Sequence, residues 1–515
     1  LLTLQLQKTG IPIVGALNMY DELENSNSHI KLDELSKRLG MPLIPTVARS
    51  GRGINDALAA AVALKEQTRL AVGNQRQMFQ TVTEKNPLSP HTRIHNLIEG
   101  VYELRESKAA RLSEKIDRIF ARTYLSYLWF FVIMGFIFYT TFELGAYPME
   151  WMETGVEALS AFIRFHLAEG WLRDLLVNGI VGGVGCVVVF LPNILILYFF
   201  ISLLEDSGYL ARAALLSDSL LRRVGLPGKS FIPILMGFGC NVPAVMATRT
   251  IESRKSRLVT MMTLPFMSCS ARLPVYTILA GAFFPEHAAL VMLALYAFGI
   301  LVAFMAAAVL NRFFHRAEES HFVMEMPPYR CPILQNVVRH TWEKGRQYLR
   351  KMGGIILIAS IAVWGLEYFP RADEAAATPS EQQEQSYLGK IGHAISPALE
   401  PLGYDWRMGV GILSGIGAKE LMVSTLGVLY NAPEGADGEP DDASLRTTIR
   451  HSGTTPAAAL SYLVFALLYF PCLATIAAIK GESGQWKYAI FTAVYTTAVA
   501  YVMAWLTYRV GLLFF

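Results

Sequence analysis

Two polar clusters carry the first legible chemistry in this chain. Asn18-Met19-Tyr20-Asp21 follows a short apolar run, Ile11 to Leu17, and Val47-Ala48-Arg49 closes a second run, Met41 to Val47. A carboxylate at Asp21 can accept from the ring N–H and the exocyclic amine of guanine, two adjacent donors that adenine lacks. A backbone N–H near Ala48 can hold the guanine carbonyl oxygen. Alone, an Asn-x-x-Asp is more readily a solvated loop; the second loop, at the end of the next strand, reverses that reading toward a guanine base. No G-x-x-x-x-G-K-[ST] phosphate loop occurs. The nearest sequence, Gly225-Leu226-Pro227-Gly228-Lys229-Ser230, has its first glycine two residues too close and reads as a cytosolic turn between membrane segments.

Such loops need strand ends to hold them. Between the two apolar runs, Lys31 to Leu39 has helical spacing, with Leu32, Leu35 and Leu39 on one face, and a second helix begins at Ile54. Strand, helix, strand, helix predicts an α/β fold with a parallel sheet, whose ligands sit at the carboxyl ends of the strands. The chain starts on Leu1, which reads as the middle of this domain, with preceding sequence expected. Residues 68–122 read as a polar, mostly helical linker, broken at Pro87 and Pro90; Ser113 to Arg122 has the pattern of a capped amphipathic helix.

Beyond Tyr124 the composition changes. Over the whole chain of 515 residues, hydrophobic residues make up 53% and charged residues 17%, against roughly 25% charged in a soluble domain, and mean hydropathy is +0.35. A wholly soluble enzyme and a disordered chain are both excluded. The net charge of +3 gives no argument for a nucleic-acid partner. Five cysteines without CxxC spacing make a disulfide framework improbable. Candidate spans are Tyr124–Phe142, Val177–Leu204, Leu258–Ala280, Ala289–Phe313, Gly353–Phe369, Ala457–Ile479 and Tyr488–Leu512, since a bilayer takes about 20 apolar residues to cross.

Two further apolar stretches, residues 231–248 and 409–430, are interrupted by glycine and polar residues. Ile234-Leu235-Met236-Gly237-Phe238-Gly239 and Ile412-Leu413-Ser414-Gly415-Ile416-Gly417 share an I-L-x-G-[FI]-G core at a separation of 178 residues. Arg249, Arg254, Lys255 and Arg257 follow the first copy; Glu434, Asp437, Glu439, Asp441 and Asp442 follow the second. The positive-inside rule puts the first exit in the cytoplasm, and the pattern predicts an inverted repeat of broken helices entering from opposite faces. Breaks of this kind mark midplane substrate sites in transporters and must line a protein cavity. Glycine for close helix packing is the rival reading.

Asn18-Met19-Tyr20-Asp21, Gly237-Phe238-Gly239-Cys240-Asn241-Val242-Pro243-Ala244, Pro265-Phe266-Met267-Ser268-Cys269-Ser270-Ala271-Arg272-Leu273-Pro274 and Gly417-Ala418-Lys419-Glu420 together resemble the FeoB family of bacterial ferrous iron transporters, over nearly the whole chain. The resemblance implies the C-terminal part of a P-loop-type G domain (1–67), a helical domain that damps GDP release (68–122) and a polytopic all-α transport domain (123–515). Met19 stands where most G proteins have lysine, as is usual in this family, whereas Val47-Ala48-Arg49 matches the second guanine loop only loosely. It further implies GTP or GDP with Mg²⁺, Fe²⁺ as substrate, a small FeoA-type accessory protein, a possible homo-oligomer, and a bacterial cytoplasmic membrane with the head in the cytoplasm. The helical domain reads short for the family.

Ligand chemistry can be argued toward the same ion. Ferrous iron accepts thiolate, thioether, carbonyl and carboxylate donors, and none of the ten histidines falls in a candidate span. The expected ion-site residues are Cys240, Asn241, Cys269, Ser270, Glu420 and Cys472; the three cysteines each stand beside a helix break or a proline. Each has a plainer alternative: a membrane cysteine also serves as a small apolar filler, and Glu420 can form a structural pair with Lys419. Met236 and Met267 read as packing. Two other functions fit parts of the pattern, a nucleoside-type carrier with broken helices and a membrane-anchored regulatory GTPase. The cysteines at the breaks count against the first, the repeat against the second.

Overall fold

The computed structural model describes residues 2–7, 11–25, 28–48, 50–70, 97–103, 123–313, 329–370, 379–431 and 442–514. Its chain divides into two compact units, Leu1–Tyr127 and Leu128–Phe515.

In the first unit, α1 (Leu2–Gln7) precedes β1 (Gly15–Leu17), α2 (Tyr20–Asn25), β2 (His29–Ile30), α3 (Leu32–Leu39), β3 (Leu43–Pro45), α4 (Ile54–Leu70) and β4 (Tyr102–Glu103). Strands β1 and β3 pair in parallel, with Ala16 opposite Ile44. The regular strands are thus shorter than the apolar runs that announced them. Helix α3 stops at Gly40, whose φ of 67° is the left-handed conformation glycine adopts at no steric cost. The antiparallel pair of β2 with β4 has no counterpart in the periodicity of the sequence, because two-residue strands leave no pattern. The expected helical linker lies almost wholly outside the described residues, as does the helix expected over Ser113–Arg122.

The second unit is helical throughout its described residues. It opens on α5 (Thr123–His166), α6 (Trp171–Asp174), a π-helical turn (Leu175–Val181), α7 (Gly182–Val189), α8 (Leu191–Asp206) and α9 (Tyr209–Arg223). The first interrupted stretch follows as α10 (Phe231–Gly237) and α11 (Asn241–Ala247), then α12 (Arg254–Thr263), α13 (Leu273–Phe283) and α14 (Ala288–Phe313). After α15 (Leu334–Tyr368), α16 (Pro379–Gln385) and α17 (Tyr387–Leu399), the second interrupted stretch forms α18 (Trp406–Ser414) and α19 (Leu421–Leu429). The chain continues as α20 (Asp442–His451), α21 (Pro456–Leu468), α22 (Leu473–Ser483) and α23 (Trp486–Phe514). Among the described residues, seven segments are long and apolar enough to cross a membrane, including Arg254–Phe283 and Pro456–Ser483.

The two interrupted stretches are hairpins that return to the face they entered from. Lys229, before α10, pairs with Glu252, beyond α11, at 2.8 Å, and Ser230 accepts from Thr260 at 2.9 Å. On the second hairpin Tyr430, after α19, donates to Asp405, before α18, at 3.3 Å. The ends of the first hairpin belong to a basic face that also holds Arg249 with Glu482, the Ile333 N–H on Asp206 at 2.9 Å, and Lys344 3.6 Å from Glu205. Tracing each span from these contacts brings the second hairpin to the opposite face. The two spans expected over Leu258–Ala280 and Ala457–Ile479 lie within segments long and apolar enough to cross a membrane, Arg254–Phe283 and Pro456–Ser483. Both are themselves broken, the first through Leu264–Arg272 and the second at residues 469–472, where Pro265, Pro274 and Pro471 remove donors from the helical ladder.

Both rival explanations of the glycines hold at once. A Cβ on Gly415 would fall 2.3 Å from the Tyr469 hydroxyl, and one on Gly239 2.6 Å from Leu197, so the breaks are also the places of closest approach. An expected result follows for the topology. Single cysteines at Ser256 and Ser444, in a background without other cysteines, are labelled by an impermeant thiol reagent from opposite sides of sealed vesicles. Labelling of both from one side would contradict the inverted hairpins.

Candidate ion site and guanine loops

In the first unit the two loops expected to hold guanine are joined by a direct bond. The Ala48 N–H donates to Asn18 Oδ1 at 3.0 Å, and the Tyr20 N–H donates to the Thr46 carbonyl at 3.2 Å. Asn18 is therefore the brace between the loops, and Asp21 sits in the first turn of α2, at the carboxyl end of β1. Met19 has φ of 62° and is 51% exposed, so its side chain is not part of the core. Val47 is buried and bridges to Arg52; Arg49 lies outside the described residues. Beside the loops, Arg52 holds both oxygens of Glu24 at 2.9 Å.

In the second unit, a cavity of about 130 Å³ lies where the four breaks meet. All six residues expected at an ion site line it: Cys240, Asn241, Cys269, Ser270, Glu420 and Cys472. The breaks are stitched in two pairs. Ser270 donates through its N–H (3.2 Å) and its hydroxyl (3.0 Å) to the Gly239 carbonyl. The Leu473 N–H donates to the Ile416 carbonyl at 3.2 Å. Each hairpin break is thus tied to the break of one crossing span, as a repeat requires, and each bond satisfies a carbonyl that lipid cannot.

Cys240 caps α11 in an extended conformation, its N–H on the Met236 carbonyl at 3.0 Å. Cys269 precedes the short 3₁₀ turn Ser270–Arg272, and Cys472 caps α22 with its Sγ 3.1 Å from the Thr475 hydroxyl. No disulfide joins them. Asn241 is buried at 4% exposure, and its Oδ1 has no hydrogen-bond partner among the described residues. An orphaned oxygen of this kind costs about 1–3 kcal/mol, so a cation beside it would repay that cost. Among the described residues no three His, Cys, Asp or Glu side chains close on one point.

Three lining residues were not among the expected ligands. Asn193, in the first turn of α8, also has an unpartnered Oδ1; its signal was an amide just after Pro192 in an otherwise apolar span. Arg272 is 2% exposed and donates to the carbonyls of Met267 and Pro265, both at 3.1 Å. Lys419 is 3% exposed, donates to the Phe470 carbonyl at 2.8 Å and lies 3.2 Å above the Tyr469 ring centre. These two cations hold the carbonyls that the breaks release. The partners of Lys419 are thus the Phe470 carbonyl and the Tyr469 ring.

The sequence matches the description "Ferrous iron transport protein B" over residues 1–61 and "Ferrous iron transport protein B C terminus" over residues 292–344. It matches "Nucleoside recognition" over 187–283 and 349–486, two stretches that each hold one hairpin and one broken span. The Fe(2+) transport protein A/Fe(2+) transporter FeoB fusion protein of Porphyromonas gingivalis is 40% identical, covering 100% of this chain and 74% of the relative. The chain belongs to the FeoB family. Fe(2+) transporter FeoB of Campylobacter jejuni is 35% identical over 98% of this chain and 82% of its own. The FeoB of Staphylococcus aureus strain MSSA476 is 34% identical, over 100% and 86%. No solved structure matches. Membership makes residues 1–61 part of a guanine-nucleotide-binding domain, with a helical region of several candidate membrane spans in the same chain.

Proposed function

We propose that this chain carries ferrous iron across the bacterial cytoplasmic membrane under the control of a guanine nucleotide, with the basic face and the head in the cytoplasm. The observation that carries the reading is the cavity at the four breaks, where soft thiols and an orphaned amide oxygen meet. Cys240 and Cys269, with Asn241 and Ser270, form the selective constriction; Glu420 and Cys472 stand as the next donors along the path. Thiol ligands favour ferrous iron over magnesium or calcium, which prefer oxygen alone. A metal-bound cysteine is a thiolate, and the Arg272 guanidinium supplies positive charge to balance such anions in a low-dielectric interior.

Asp21 selects guanine, with Asn18, Met19, Tyr20, Val47, Ala48 and Arg49 around the base. No residue of this chain is assigned to magnesium or to the phosphates. A small FeoA-type protein is a fitting partner, since the two names are fused in the Porphyromonas relative. A nucleoside cargo fits less well: the cavity of about 130 Å³ is below the roughly 300–1,000 Å³ of pockets for molecules of that kind.

The reading is tested by iron X-ray absorption on purified protein loaded anaerobically with ferrous iron. Sulfur in the first coordination sphere, lost in Cys240→Ser and Cys269→Ser, is the expected result. A sphere of oxygen and nitrogen only would remove the cysteines from the site.

A further inference from the structure

A second chamber, of about 890 Å³, lies on the basic-face side of the ion site, and nothing above uses it. Its wall includes Glu205, Lys229, Arg249, His340 and Lys344. Charged side chains of this kind face water rather than lipid, and a cavity this roomy holds water along its charged wall, although most of its lining is apolar. The chamber and the ion site are separated by a single layer of side chains. Along α8, Leu197 lines the small cavity and the next residue, Tyr198, lines the large one; along the first hairpin, Gly239 to Val242 line the small cavity, while Met236 and Pro243 line the large one. Tyr198 is 3% exposed and Met236 4%, so the layer is closed.

Two half-helices frame this layer. Helix α11 starts at Asn241 and α22 follows Cys472, so both begin at the ion site; both run to the basic face, and they pack on each other. At their far ends Arg249 grips both oxygens of Glu482, Nε at 2.6 Å and a terminal nitrogen at 2.5 Å. The Glu482 side chain is 8% exposed and that of Arg249 47%, and a bidentate guanidinium–carboxylate pair is among the stronger polar links available.

We propose that the large chamber is the inner vestibule of the ion path, that Tyr198 and Met236 form its gate, and that Arg249–Glu482 is the latch holding α11 and α22 closed. The proposal rests on the ion-path reading of the small cavity. A hydrated cation cannot cross a sealed layer of tyrosine and methionine, so passage needs the half-helices to part, and parting them breaks the latch.

The test is the rate at which a trimethylammonium-bearing methanethiosulfonate, added from the basic face of membrane vesicles, modifies given positions, followed by peptide mass mapping. A cysteine introduced by Ala247→Cys, in the vestibule wall, is expected to react readily, whereas native Cys240 reacts slowly. Tyr198→Ala and Glu482→Gln each speed modification of Cys240 at least tenfold, and the swap Arg249→Glu with Glu482→Arg returns the rate toward that of the parent. Should Tyr198→Ala fail to fold, Glu482→Gln carries the test. An unreactive position 247 would overturn the vestibule; an unchanged Cys240 rate in Glu482→Gln, or no recovery in the swap, would overturn the latch. None of these rates involves iron, so normal ferrous uptake by the serine variants would defeat the ion-path reading on its own.

Discussion

In protein bearing the complete guanine-nucleotide domain, Asp21→Asn is expected to lower the preference for GTP over xanthosine triphosphate by about a hundredfold. The carboxylate of Asp21 accepts from two guanine donors; an amide keeps one acceptor and turns its other end into a donor, which meets a donor on guanine but a carbonyl on xanthine. Each hydrogen bond lost to a desolvated group costs about 1–3 kcal/mol, and about 1.4 kcal/mol is a factor of ten, so two bonds make the shift large. The structure adds a reason for the effect to stay local. Asn18 braces the two loops through the Ala48 N–H at 3.0 Å, so the frame around the base persists when Asp21 changes. Titration with the two nucleotides decides the matter, and an unchanged preference would remove Asp21 from the base site.

The contrast between Asp21 and Asn18 shows how far the sequence could be read. The motif named both residues, but the reason for Asn18 is a bond to a backbone thirty residues away, and local pattern holds no record of it. The same holds in the membrane region. Glycine pairs and prolines announced the breaks, because their backbone chemistry is local. That the interrupted stretches are hairpins depends on Lys229 meeting Glu252 and Tyr430 meeting Asp405, which no periodicity encodes. The breaks in the two crossing spans were announced by the prolines beside Cys269 and Cys472, within long apolar runs. Arg272 and Lys419 stood inside the motifs as charges; only the fold reveals that each is spent on carbonyls freed by a break. Asn193 carried an amide in an apolar span and could have been singled out by that alone.

The central claim is that soft ligands at the breaks make this path selective for ferrous iron. Cys240 and Cys269 face one cavity from opposite partners of a stitched pair of breaks, Ser270 on Gly239. Serine at either position keeps size and polarity and removes the sulfur alone, so the main loss is affinity for a borderline-soft ion. A cysteine that merely fills space predicts the reverse: near-normal transport with reduced thermal stability. The direct measurement is initial-rate uptake of radiolabelled ferrous iron into proteoliposomes by the parent, Cys240→Ser and Cys269→Ser, each beside its thermal midpoint and its guanine-nucleotide affinity. The account predicts that uptake falls at least about tenfold in both variants while midpoint and nucleotide affinity hold. Uptake at the parent's rate in both would contradict it and leave the path to Glu420 and backbone oxygens.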